Sequence, residues 1–114
     1  MALSELEQAR ITKRLSAYCE SRLSMHAINE VRLGFRIHGH DVVLFEERPS
    51  FHPPHQWQEY PVAKFKYVAT QRHWQLYCRH RDLRWHEYRR RPSARVFDVL
   101  LDEVDADPTG IFWG

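Results

Sequence analysis

The apolar residues of this chain recur with two different periods, and the points where the period changes limit its fold more than any other feature. Ser4 and Glu7 have the S-x-x-E form of a capping box. Behind them Leu6, Ile11, Leu15, Tyr18, Cys19 and Leu23 follow near-helical spacing, which predicts a helix over Ser4 to Leu23 with Arg10, Lys13, Arg14 and Glu20 mostly on its wet side. From Val31 the period drops to two. Val31, Leu33, Phe35 and Ile37 alternate with Arg32, Gly34, Arg36 and His38, Gly39-His40 supplies a turn, and Val42 to Glu47 returns as the partner strand.

Pro49, Pro53, Pro54 and Pro61 then interrupt the chain. Each lacks a backbone donor and fixes φ, so Arg48 to Tyr60 reads as an ordered but irregular loop, pinned to the body by Phe51, Trp57 and Tyr60. Alternation resumes from Val62 to Ala69, with Ala63, Phe65, Tyr67 and Ala69 on one face and Lys64 and Lys66 on the other. A turn at Gln71 to His73 leads into Trp74, Leu76 and Cys78, opposed by Gln75, Tyr77 and Arg79, which makes a second hairpin; Trp85 to Tyr88 fits a fifth, edge strand. Pro92-Ser93 reads as the start of a last helix with Val96, Phe97, Leu100, Leu101 and Val104 on one stripe, stopped at Pro108 to Gly110. Ile111, Phe112 and Trp113 are too apolar for a free tail and should dock. The expected fold is therefore α+β: an N-terminal helix, a four- to five-stranded antiparallel sheet built of two hairpins plus an edge strand, and a C-terminal helix, both helices packed on one face.

At 114 residues there is room for one domain and one core, spanning residues 1–114. Cys19 and Cys78 are far apart and form no CxxC pair, so neither a disulfide scaffold nor a zinc ribbon is indicated, and a reducing compartment fits. No stretch approaches the ~20 apolar residues of a membrane helix. Glu5, Glu7, Arg10, Lys13 and Arg14 break up the start, which excludes a secretory signal and leads us to expect a cytoplasmic protein without a membrane partner.

Net charge is only +2, yet its layout is uneven. Met1 to Pro61 carries −1, Val62 to Arg95 carries +8, and Val96 to Gly114, with five acidic and no basic residues, carries −5. A basic middle and an acidic end either mark an anion-binding surface or neutralise each other across the fold. By two-residue periodicity Arg32, Arg36, Lys64, Lys66, Tyr77 and Arg79 share the sheet face away from the helices. Cations with an exposed ring are a common way to hold single-stranded nucleic acid, although wet sheet faces are routinely polar for no functional reason. The densest cationic segment is 79–91, where Arg79, Arg81, Arg84, Arg89, Arg90 and Arg91 are interleaved with Trp85 and Tyr88; guanidinium groups pair with phosphates and stack on rings.

Several segments together resemble a known family: Phe45-Glu46-Glu47-Arg48-Pro49-Ser50-Phe51, Trp57-Gln58-Glu59-Tyr60-Pro61-Val62-Ala63-Lys64-Phe65, Trp74-Gln75-Leu76-Tyr77-Cys78, Asp82-Leu83-Arg84-Trp85-His86-Glu87-Tyr88 and Asp107-Pro108-Thr109-Gly110-Ile111-Phe112-Trp113-Gly114. They look like the small bacterial proteins grouped as domain of unknown function 3024. The resemblance implies a stand-alone bacterial domain and supplies no activity, cofactor or catalytic residue.

Chemistry finds little purchase elsewhere. His38 and His40, His52 and His55, and Cys78 and His80 are spaced so that a metal site is open if turn and loop converge, but no established ligand pattern occurs, and no cofactor is expected. Glu46 and Glu47 point to opposite faces of a strand and cannot act on one bond. Glu59, Glu87 and His86 could serve an enzyme only if they meet near the edge strand. No G-x-S-x-G, P-loop or G-x-G-x-x-G is present, His80-Arg81-Asp82 lacks every other kinase motif, and both cysteines lie on apolar stripes. The sequence thus favours a non-catalytic binding domain for a polyanion such as nucleic acid. The alternatives are a protein-interaction module using Phe51 to Tyr60 or Ile111-Phe112-Trp113 as apolar anchors, and, third, a metal-dependent enzyme.

Overall fold

A computed structural model describes residues 3–23, 31–50 and 56–114. Helix α1 spans Glu5–Leu23 and opens as the capping box requires, with the Glu7 amide donating to Ser4 Oγ at 3.1 Å. Strands β1 (Arg32–His38), β2 (Asp41–Pro49), β3 (Trp57–Val68), β4 (His73–Arg79) and β5 (Trp85–Glu87) follow in an antiparallel meander, each bonded to the next. The two hairpins are therefore parts of one continuous sheet, joined by the β2–β3 pairing. A two-residue strand, β6 (Ser93–Ala94), pairs with the start of β4, and helix α2 (Phe97–Ala106) closes the order.

Two expectations are corrected. Of the segment read as irregular from Arg48 to Tyr60, the described residues are mostly strand, since β2 runs to Pro49 and β3 begins at Trp57; Phe51, His52, Pro53, Pro54 and His55 lie outside the described residues. Pro61 does not end a loop but sits inside β3, where the register shifts: Leu44 faces Ala63 and Phe45 faces Pro61, leaving Val62 as the extra residue of a bulge. A bulge is a place where a strand tolerates a proline's missing donor. The second correction concerns the last helix, which starts at Phe97 rather than at Pro92-Ser93, because Ser93 and Ala94 are taken by the β4 edge and Val96 becomes an extended N-cap.

The apolar stripes meet much as the periodicity predicts, although Leu6, Ala69 and Val96, expected on them, are exposed because each lies at an end of its element. Ile11, Leu15, Tyr18 and Cys19 of α1, Val42 and Leu44 of β2, Ala63 and Phe65 of β3, Trp74, Leu76 and Cys78 of β4, and Phe97, Leu100, Leu101 and Val104 of α2 form one cluster on one face of the sheet. Trp74 is its centre, with ring centroids 5.2 Å from Phe97 and 5.1 Å from Tyr67. Burying rings of this size is what a small domain requires, as each brings ~150–250 Å². The tail docks too. Asp107, in the left-handed region at φ 44°, turns the chain and accepts the Phe112 and Trp113 amides at 3.1 and 2.8 Å, while the Trp113 indole donates to the Val104 carbonyl at 3.0 Å.

Candidate anion-binding surface

Register fixes which side chains share the face turned away from the helices. Arg36, Val43, Lys64, Tyr77 and Glu87 form one row across the sheet; His38, Asp41, Lys66 and Gln75 form another; Arg32, Glu47 and Glu59 form a third, with Arg79 beside Trp85 at the β4–β5 end. The cations expected on this face are there, and most of them lie on rings. Arg32 is 3.8 Å from the Trp57 ring centroid, Arg36 5.1 Å from that of Phe45, Lys64 4.8 Å from Tyr77 and 5.6 Å from Trp85, and Arg79 5.4 Å from Trp85. Gly34 belongs to the same layer, since a Cβ there would stand 2.8 Å from the Phe45 ring that covers it.

The sequence reading missed that Trp57 and Glu59 belong to this face. Plain alternation back from Ala63 would turn both inward, but the extra residue at Val62 inverts the parity of everything before it. Glu59 therefore reaches Arg36, whose Nη2 donates to both carboxylate oxygens at 2.6 and 2.7 Å. Pro61 was the available signal, because a proline in an otherwise strand-like run marks an edge or a bulge. As a result Arg36 on β1 is paired, and the cations of this face without an ion pair among the described residues are Arg32, which covers the Trp57 ring, and Lys64 and Lys66 of β3 and Arg79 of β4.

The segment 79–91 continues from that end. The turn joining β4 to β5 is braced by Asp82: its Oδ1 accepts the Arg84 amide at 2.9 Å, and its Oδ2 lies 2.8 Å from His86 Nε2. These two partners hold its carboxyl below the usual carboxylate range. The His86 ring stacks on His80 at 3.9 Å, and His80 Nε2 is 3.6 Å from Cys78 Sγ. Burial pushes the Cys78 thiol up, which disfavours the nucleophilic thiolate. Among the described residues no group of three or more His, Cys, Asp and Glu is placed to hold a metal ion. Nor do Glu59, Glu87 and His86 assemble, since Glu59 is bound to Arg36 and His86 lies on Asp82.

Whether the basic segment is neutralised by the acidic last helix has a direct answer. Asp98 and Asp102 face Arg14 of α1 at 2.9 and 3.8 Å. Asp105 accepts from Arg22 at 3.2 Å and from the Tyr18 hydroxyl at 2.9 Å, and Asp107 is used up in capping the tail. Only Glu103 turns to the basic segment, accepting the Tyr88 hydroxyl at 2.6 Å with Arg90 at 3.4 Å. Arg81, Arg84, Arg89 and Arg91 are all exposed and have no ion pair among the described residues. The anchors expected of an interaction module are differently placed. Phe112 is buried with its ring 4.9 Å from Tyr88, Trp113 is covered by Arg22 at 3.8 Å, and Ile111 and Tyr60 are exposed.

These features define a class: an α+β domain with a five-stranded antiparallel meander, one face under two helices and the other a layer of cations on rings. The chain belongs to the family described as a domain of unknown function (DUF3024), whose model matches residues 3–114. No curated protein and no solved structure matches it. No helix among the described residues is long and apolar enough to cross a membrane.

Proposed function

We propose that this domain is a non-catalytic binder of polyanions, single-stranded nucleic acid foremost, and that it binds along the β4–β5 end of the open sheet face. The observation that carries the reading is where the acidic helix directs most of its charge: into α1 and its own C-terminal turn, with Glu103 alone on the basic segment, so that Arg81, Arg84, Arg89 and Arg91 have no ion pair among the described residues, in addition to Lys64, Lys66 and Arg79 of the sheet face. Arg79 and Lys64 already lie against Trp85, and Lys64 against Tyr77, so bases would meet rings and guanidinium planes while phosphates meet cations. Arg32, Arg36 and Arg90 play a smaller part, since Arg32 covers Trp57, Arg36 is bound to Glu59 and Arg90 faces Glu103.

Fluorescence anisotropy with labelled single- and double-stranded oligonucleotides over a salt series tests this. Binding should strengthen as salt falls, with a log–log slope of about −0.7 for each phosphate neutralised on a single strand. Replacing Arg89 and Arg91 with Gln should make the slope shallower. No salt-dependent binding at low ionic strength would refute the proposal.

A further inference from the structure

At the tip of the β4–β5 turn, Leu83 combines two unfavourable properties. Its backbone is in the left-handed region at φ 62°, where a residue other than Gly, Asn or Asp is strained, and its side chain is 72% exposed. Neither is required by the turn, since glycine or asparagine would form it with less strain. Strain held in place by surrounding structure is a reason to look for function. Here the surroundings do hold it: the Leu83 amide donates to the His80 carbonyl at 2.9 Å, the His80 amide to the Arg84 carbonyl at 3.3 Å, and Asp82 ties Arg84 to His86. Arg81 and Arg84, exposed and without ion pairs among the described residues, flank the leucine.

Resting on the nucleic-acid reading above, we infer that this tip is the contact that distinguishes a nucleic acid from other polyanions. Leu83 packs against the face of an unstacked base while Arg81 and Arg84 take the neighbouring phosphates. The braced turn presents the backbone of all three already ordered, so little loop freedom is lost on binding. One leucine is too little apolar area to anchor a lipid surface. The cations and rings of Arg79, Lys64, Trp85 and Tyr77 continue from the tip as a track suited to a strand.

Leu83→Gly separates the possibilities, because glycine accepts the φ and keeps the turn. Affinity is measured by anisotropy for a labelled oligo-dT strand and, by competition, for inorganic polyphosphate; sedimentation with phosphatidylglycerol vesicles is run alongside. We expect Leu83→Gly to melt no lower than wild type and to bind oligo-dT about fivefold or more weakly with an unchanged salt slope, while polyphosphate binding stays the same. Replacing Arg81 and Arg84 with Gln should weaken both ligands and make the slope shallower. Wild-type affinity of Leu83→Gly for oligo-dT, equal weakening for both polyanions, or an effect confined to the vesicles would overturn the role of Leu83 and leave the broader reading standing. A wild-type protein that binds neither polyanion would remove both.

Discussion

Tyr88 shows how much a single side chain decides here. It is buried, its ring packs on Phe112, and its hydroxyl donates to Glu103 at 2.6 Å. Burial first, and then the Glu103 carboxylate, push its phenol up to about 12. A folded-state value above the unfolded ~10 means that the bond's contribution is fully present below pH ~10 and is lost as pH rises through about 12. Tyr18 is also raised, by burial and by Asp105, and loses stability over the same range, but it is common to wild type and variant and cancels in their difference. Tyr88→Phe should cost about 1.5–3 kcal/mol at pH 8, the range for a hydrogen bond to a charged group. The difference in melting temperature between wild type and variant should shrink from pH 10 to 12, and parallel profiles would contradict the assignment. The tyrosine was legible as a strand-end aromatic. Its partner was not, since fifteen residues and an unforeseen strand, β6, separate it from Glu103.

Among the elements, α2 departs furthest from expectation. Its apolar stripe was plain in the sequence, but Pro92-Ser93 carried a start signal that the sheet overrode: β4 has a free edge beyond β5, and Ser93-Ala94 fill it. The helix consequently begins behind Val96, a residue type poorly suited to an N-cap, whose backbone is already extended at φ −106° and whose side chain makes no cap hydrogen bond. Val96→Ser should therefore stabilise the protein by about 1 kcal/mol, since the new hydroxyl can accept an amide of the first turn and Val96 is 57% exposed, with little burial to lose. A higher urea midpoint at unchanged slope is the expected result. A lower midpoint would mean that Val96 packs more than its exposure implies. Helix α1, by contrast, was readable nearly to the residue, because its capping box and its stripe lie within one continuous segment.

At the scale of the whole molecule, one core holds both helices, the sheet and the docked tail, and Phe112 is the tail's contribution to it. Phe112→Ala should lower stability by about 3 kcal/mol, the low end for a buried phenylalanine because a chain end can collapse into the gap. Chemical unfolding followed by tryptophan fluorescence would show it, and wild-type stability would mean that the tail is dispensable. The same scale settles the charge layout. The sequence by itself determined the helix and strand periods, the apolar faces, the uneven distribution of charge and the cationic residues of the open face, because each depends on spacing within a short stretch. Only the tertiary structure decided which of those charges remain available. Arg14 meets Asp98 across 84 positions of sequence, and the one-residue bulge at Val62 carries Glu59 and Trp57 to the open face, where they engage Arg36 and Arg32. The physical reason is the same in both cases: a strand has only two faces, so one unpaired residue inverts all that lies beyond it, and an ion pair depends on proximity in space that local spacing does not encode.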